Sequence, residues 1–439
     1  MRNILLFGAG KSAYVLIKYL LDNATANNWK VTIADMFPKN IRNKFQSESL
    51  EVVEFNLENV ALKELLVQKS DIVISMLPAR FHSQVMETAL KFSKNMITPS
   101  YDSKEMNDVK EEVKEKGLIF INELGLDPGI DHMSAMEIIH RIQDSGDKIT
   151  AFESFTGGLI APESDNNPWH YKFTWNPRNV ILAGAGGSVK FLHNGKHKYI
   201  PYHKLFERTE EMHIEGYGDF EGIANRDSLK YIDIYGLKDV QTMYRGTLRR
   251  PPYSKAWAIL VQVGATDDSY QMEDTVNMTY REFINSFLKY REGDSIELKL
   301  AYYVNIDVDC DAMKLLKWAG LFEDKKIGIE NASPALVLQH LLEQKWGMEP
   351  TDKDMIVMRH LFKYGNNKTL TSSMVVIGDD ENNTAMAKTV GLPIAIATKL
   401  ILNNKIQEKG VLMPMSKEIY GPILEELKEY GIFFKEVLS

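Results

Sequence analysis

One cysteine, Cys310, stands among 439 residues. A single thiol forms no intrachain disulfide and no thiolate cluster for zinc. Its scarcity suits a reducing compartment, so a cytoplasmic protein is expected. No uninterrupted run reaches the roughly 18 apolar residues of a membrane span. The short apolar run at 4–7 ends at Gly8, and it lacks the longer core and cleavage site of a secretory signal. Basic residues are not in excess. Lys and Arg number 52 against 60 Asp and Glu, a net charge of −8. Global attraction to nucleic acid or to an anionic membrane is therefore not expected. An anionic substrate would have to be met by a few local cations. Repeats and low-complexity tracts are lacking too. His132 and Glu163 have no neighbours at metal-ligand spacing, so no metal is expected.

What is present is ordinary globular composition, 44% hydrophobic and 26% charged. The length suggests two or three domains. Over the first 125 residues, apolar strand patterns alternate with helical ones. Strands are expected at 4–7, 31–34, 52–55, 71–76, 95–98 and 118–121. Continuous apolar strands separated by helices predict a parallel, doubly wound sheet. The breaker cluster Gly125-Leu126-Asp127-Pro128-Gly129 puts a boundary near 125. Beyond it, 151–155, 232–235 and 256–263 read as strands of a mixed domain. Residues 272–350 read as a helical insertion, with a helix opened by Ser333-Pro334. A hairpin is expected around Gly365-Asn366-Asn367, then two helices at 382–390 and 394–402. The fold class is thus α/β with three parts. These are a Rossmann domain at 1–125 with a return over about 391–439, a mixed α/β domain at 126–271 and 351–390, and the helical insertion at 272–350.

Gly8-Ala9-Gly10-Lys11-Ser12-Ala13 follows the first strand and opens the first helix. The first glycine permits a tight turn, the second lets backbone approach a pyrophosphate, and Ala13 is small enough for helix–strand packing. The helix start offers free N–H groups to phosphates. Asp35 ends the second strand, where a carboxylate accepts from ribose hydroxyls and repels a 2′-phosphate. NAD is therefore the expected cofactor, with NADP the alternative because Lys39 and Arg42 follow closely. Ser75-Met76-Leu77-Pro78 and Thr98-Pro99-Ser100-Tyr101 lie beyond strand ends, where open α/β sheets bind ligands. Leu77, Pro99 and Ser100 are accordingly candidate cofactor contacts.

Later segments are more specific. Asn122-Glu123-Leu124-Gly125-Leu126-Asp127-Pro128-Gly129-Ile130-Asp131-His132 resembles the signature of the saccharopine reductase family. So do Gly157-Gly158-Leu159-Ile160-Ala161-Pro162-Glu163-Ser164, Tyr171-Lys172-Phe173-Thr174-Trp175, Asn225-Arg226-Asp227-Ser228 and Arg245-Gly246-Thr247-Leu248-Arg249. Near the end, Ala385-Met386-Ala387-Lys388 and Gly410-Val411-Leu412-Met413-Pro414-Met415 match as well. The likeness runs in order along the whole chain. It implies a nicotinamide-dependent oxidoreductase interconverting saccharopine with glutamate and 2-aminoadipate 6-semialdehyde, in lysine synthesis or breakdown. It also implies a homodimer formed through the second domain.

By that likeness, Tyr101 and Asp127 lie near the reacting amine and relay protons or order water. Asp127 could instead cap the helix that begins near Asp131. Ser100, Tyr101 and Asp127 would contact the substrate. The guanidinium fork of Arg226 suits a carboxylate clamp. Asn225 and Asp227 would touch polar substrate groups or hold Arg226. The family often carries Cys where this chain has Thr156, so a thiol role is not expected here. Two alternatives share the scaffold. One is another amine-forming dehydrogenase, of the carboxynorspermidine dehydrogenase kind. The other is a non-enzymatic dinucleotide-binding regulator.

Overall fold

A computed structural model describes residues 1–185 and 187–439. The chain divides into two compact units, Met1–Lys148 with Met374–Lys435 and Ile149–Ser373 with Glu436–Ser439.

The first unit holds β1 (Arg2–Phe7), β2 (Trp29–Asp35), β3 (Leu50–Glu54), β4 (Ile72–Ser75), β5 (Asn95–Ile97) and β6 (Ile119–Ile121). A late strand, Gly410–Leu412, adds itself beside β6, and all seven run parallel in the order late strand-β6-β5-β4-β1-β2-β3. The six leading strands keep the Rossmann order 3-2-1-4-5-6. Their apolar runs follow from burial on both faces: Ile4, Leu6 and Phe7 are fully buried, as are Ile72, Val73 and Ile74. The helix Tyr14–Asp22 buries Val15, Leu16, Ile17, Tyr19 and Leu20. It meets the helix Ala385–Leu402 closely enough that a Cβ on Gly391 would lie 2.8 Å from the Leu16 nitrogen.

One expectation is corrected in this unit. The compact unit itself runs on to Lys148, because the helix Ile130–Asp144 is largely buried and packs on the helix Lys417–Glu429. Residues 382–402 form one helix from Ala385 to Leu402, not two, and Pro393 lies inside it. Thr384 caps its start by accepting from the Ala387 N–H at 2.9 Å. By length and composition this 18-residue helix could cross a membrane, yet 72% of it is buried.

The second unit carries β7 (Ile149–Ile160), β8 (Val189–His193), β9 (Lys196–Ile200), β10 (Thr209–Ile214), β11 (Gly218–Ala224), β12 (Thr242–Arg249), β13 (Asp354–Tyr364) and β14 (Lys368–Ile377). With the closing strand Lys435–Leu438 they make a nine-stranded mixed sheet, ordered β10-β11-β12-β7-β13-β14-closing strand, with β8 on β12 and β9 on β8. β7 is parallel to β12 and antiparallel to β13. The hairpin around residues 365–367 is present. The strands expected at 232–235 and 256–263 are helices instead, Lys230–Ile234 and Tyr253–Val263. The second is buried nearly all round, so its apolar run carried no readable period.

Helices at Tyr280–Ser286, Ile296–Val304, Asp311–Ala319 and Pro334–Trp346 fill the expected insertion. They belong to the second unit because their aromatic end is buried in it. Trp346 meets Trp169 and Tyr171, each at 5.1 Å between ring centroids, and the Trp169 indole donates to the Leu315 carbonyl at 3.0 Å.

Candidate functional site

The phosphate loop is built at the end of β1. Gly8 has φ +86°, and a Cβ there would press within 3.2 Å of the Met76 backbone. Only glycine tolerates both conditions. At Gly10 a Cβ would meet nothing within 4 Å, so open space lies over the backbone where a pyrophosphate would approach. Lys11–Ala13 form a single tight turn closed by the Ala13 N–H on the Gly10 carbonyl at 2.9 Å, and Ala13 is buried. Lys11 is exposed and Ser12 half-buried at the rim. The residues present therefore fit a dinucleotide.

Asp35 does more than the sequence pattern suggests. One carboxylate oxygen accepts from the Ala9 N–H at 2.7 Å, and the other from the Phe37 N–H at 2.8 Å. The carboxylate is thereby pinned beside the phosphate loop, while each oxygen keeps a lone pair for a ribose hydroxyl. Arg42 is turned to the Val52 carbonyl at 2.8 Å, and the residue after Asp35 is the exposed Met36.

Beyond β4, β5 and β6 lies a second group. Leu77 closes over Gly8, and Pro99 packs on Gly125. Ser100 meets His82, a residue that the sequence reading missed. His82 lies between the Ser75 hydroxyl at 2.8 Å and the Ser100 hydroxyl at 2.7 Å. Burial lowers its pKa from 6.5 to about 4, so the ring is neutral near pH 7 and gives one nitrogen as donor and one as acceptor. No local motif announces it, since its partners come from two different strand ends. The Tyr101 hydroxyl donates to the Asp127 carboxylate at 3.3 Å, so these two candidates share one site. Tyr101, His82, Arg80, Thr98, Ser103 and Asn122 line a cavity of about 150 Å³.

The Asp127 loop has a demanding backbone. Gly129 has φ +146°, and a Cβ there would fall 2.1 Å from the Gly125 carbonyl oxygen. The Gly129 N–H is taken by Asp131 at 2.6 Å. Asp131, in the first turn, thus serves the helix start.

In the second unit, Asn225, Arg226 and Asp227 follow β11. Arg226 is exposed with φ +48°. The Asn225 N–H reaches the Arg245 carbonyl at 2.9 Å. Asp227 accepts from the Leu229 N–H at 3.0 Å and faces Lys190 at 3.6 Å. A second cation, Arg249, is buried, with its guanidinium 5.0 Å from the Tyr171 ring and 5.4 Å from that of Tyr253. One Nη donates to the Leu248 carbonyl at 2.8 Å, its Nε has no hydrogen-bond partner, and no carboxylate pairs with it among the described residues. Its signal was in view, as the last residue of the Arg245–Arg249 motif. The Thr156 hydroxyl is buried and also lacks a partner. Among the described residues, no group of three His, Cys, Asp or Glu side chains is placed to hold a metal ion.

A Rossmann sheet, a glycine-shaped phosphate loop and a carboxylate at the end of β2 define a nicotinamide-dinucleotide-binding oxidoreductase fold. Residues 4–121 match the family model described as saccharopine dehydrogenase NADP binding domain, and residues 125–432 match the saccharopine dehydrogenase C-terminal domain. The chain belongs to the saccharopine dehydrogenase family. It is 34% identical to the mitochondrial alpha-aminoadipic semialdehyde synthase of Rattus norvegicus, over 99% of this chain and 47% of that one. It therefore spans about half the length of that relative. It is 32% identical to saccharopine dehydrogenase [NADP(+), L-glutamate-forming] of Saccharomyces cerevisiae, over 99% of both. The solved structure of the apo Saccharomyces cerevisiae saccharopine dehydrogenase (L-Glu forming) superposes with a TM-score of 0.89 at 31% identity, covering 100% of each chain. A homospermidine synthase from Legionella pneumophila shares the fold, with a TM-score of 0.54 at 10% identity.

Proposed function

We propose that this chain interconverts saccharopine and water with L-glutamate and L-2-aminoadipate 6-semialdehyde, with NAD as its preferred nicotinamide. The observation that carries the reading is the Tyr101–Asp127 hydrogen bond beside a dinucleotide loop, in a chain matched end to end by a saccharopine dehydrogenase. When bound, the dinucleotide supplies the hydride acceptor in one direction and the donor in the other.

The chain's own residues have the remaining tasks. Oxidation of the secondary amine requires loss of its proton, and hydrolysis of the resulting C=N bond requires an ordered water. Asp127 is the acceptor for the amine or water proton, and Tyr101 holds that carboxylate in place while offering a hydroxyl for return transfer. His82, neutral between Ser75 and Ser100, fixes the loop that carries Tyr101. Within the second unit, Arg249 and Arg226 are cations of the kind a carboxylate substrate needs, Arg249 desolvated and Arg226 at the surface.

The cofactor choice rests on Asp35. The family model and the yeast relatives carry NADP in their names. In this chain a pinned carboxylate ends β2, where a Rossmann fold meets the adenosine ribose, with Met36 rather than a cation after it. The deciding assay follows reduced-nicotinamide absorbance with purified protein and saccharopine, using NAD and NADP in parallel. Turnover that is faster with NAD supports both parts. Turnover faster with NADP keeps the reaction and removes the role given to Asp35. If neither cofactor turns over with saccharopine, the substrate assignment falls, and other secondary-amine dicarboxylates become the next substrates to test.

A further inference from the structure

A buried acid–imidazole pair lies next to the proposed proton-transfer residues, and none of the chemistry above uses it. Glu123 is 2% exposed and His132 is fully buried. The Glu123 Oε2 and the His132 Nε2 are 2.7 Å apart. The second ring nitrogen faces the Asp131 carboxylate at 3.5 Å. A charged side chain is rarely placed so deep without a job for it.

Its other contacts show what that job is. The Glu123 backbone N–H donates to the Ser100 carbonyl at 2.9 Å. The Glu123 Oε1 accepts from the Asp102 N–H at 3.0 Å. These are the residues on either side of Tyr101, so one residue grips the chain before and after the phenol. Glu123 does this from a left-handed backbone, φ +55°, a conformation disfavoured for a long side chain. His132 lies in the first turn of the helix that follows the Asp127 loop. The Glu123–His132 contact therefore closes the loop that carries Asp127, while the Glu123–Ser100 and Glu123–Asp102 bonds fix the loop that carries Tyr101.

We propose that Glu123, braced by His132, is a positioning residue that sets the Tyr101 hydroxyl against Asp127. The inference rests on the functional reading given above. It acts through Tyr101 and touches neither substrate nor cofactor. The prediction is a specific non-additivity. Glu123→Ala lowers kcat by about 10-fold or more, with the KM for the dinucleotide held within about 3-fold. In a Tyr101→Phe background the same substitution lowers kcat by less than about 3-fold, because the group being positioned is already gone. A purely structural role would give equal losses in both backgrounds, and that result overturns the proposal.

Glu123→Gln serves as the second variant should the alanine form fail to fold. It keeps an oxygen for the Asp102 N–H and weakens only the His132 contact. It should show a smaller loss with the same dependence on Tyr101. A readout without turnover separates this proposal from the reaction assignment. Fluorotyrosine placed at position 101 should give one sharp fluorine NMR line in the parent. The line should split or broaden in both Glu123 variants. An unchanged line in both variants refutes the clamp, whatever substrate the protein turns over.

Discussion

Replacing Asp35 by asparagine removes one negative charge and little volume, which makes it a clean test of cofactor choice. The adenosine 2′-phosphate of NADP carries about two negative charges. Unit charges about 4 Å apart interact by about 1 kcal/mol even at the dielectric of water, so a carboxylate at the ribose opposes that phosphate by about 2 kcal/mol or more, about 30-fold. The ribose hydroxyls of NAD lose a charged acceptor in the variant. A hydrogen bond to a charged group is worth about 1.5–3 kcal/mol, so NAD should weaken by about 10-fold or more. Together the ratio of kcat/KM for NAD to that for NADP should fall by roughly 300-fold. The asparagine oxygen can still accept from the Ala9 N–H now held at 2.7 Å, so the phosphate loop should keep its shape. Asp35→Ser reaches one of the two amides at most, and should lose more NAD activity for the same gain with NADP. Steady-state kinetics with both cofactors at saturating saccharopine measure the ratio. A ratio that moves less than about 3-fold in both variants refutes the electrostatic argument.

Three further outcomes follow from the geometry. The unfolded chain protonates His82 near pH 6.5, but the folded chain resists until about 4. The stability from keeping this ring neutral is therefore fully present above about pH 6.5 and declines by about 3 kcal/mol as pH falls to 4. Urea titrations should show that slope reduced in His82→Gln, and parallel slopes in parent and variant would contradict it. Gly129→Ala forces a methyl into the Gly125 backbone at a φ of +146° and should cost about 3 kcal/mol or more, read as a lower midpoint in chemical denaturation. An unchanged midpoint would mean that the loop has another conformation. Lys172 and Asp352 form a buried ion pair at 2.6 Å, so Lys172→Met alone should destabilise by about 3–5 kcal/mol. Adding Asp352→Leu should recover most of that loss, and additive losses in the double variant would rule out an isolated pair.

The first unit was legible in the sequence because its physics is local. Buried parallel strands must be continuous apolar runs, and a phosphate loop needs glycine where φ is positive and where backbone crowds backbone. Both leave marks a few residues long, at Ile4 to Phe7 and at Gly8 to Ala13. The second unit was harder because its marks are shared. Ala256 to Val263 is apolar without interruption, and a helix buried on all sides looks the same as a buried strand. Its closing Gly264, at φ +89°, was the better guide, since glycine in that conformation ends helices. The gap left between the helices expected at 382–390 and 394–402 contains Pro393. It reads as a break, yet tertiary burial of Ile394 to Ala397 keeps the helix whole across it.

The site divides along the same line. Asp35 and Ser100 sit at strand ends, so position nominated them, whereas Tyr101 and Asp127 were nominated by the family resemblance of the segments that carry them. His82 and Glu123 did not stand out, because each acts by joining loops that lie apart in the chain. His82 reaches back to Ser75 and forward to Ser100, while Glu123 reaches back to Ser100 and Asp102 and forward to His132. A residue whose work is to fix the distance between two others has no sequence period. Its trace is a polar group buried where burial is unfavourable unless every partner is met. Glu123 and His132 meet that description more completely than either proposed proton carrier does. If the Tyr101 hydroxyl must stay near 3.3 Å from Asp127, the restraint has to come from outside the pair, and Glu123 is the residue that holds both neighbours of Tyr101.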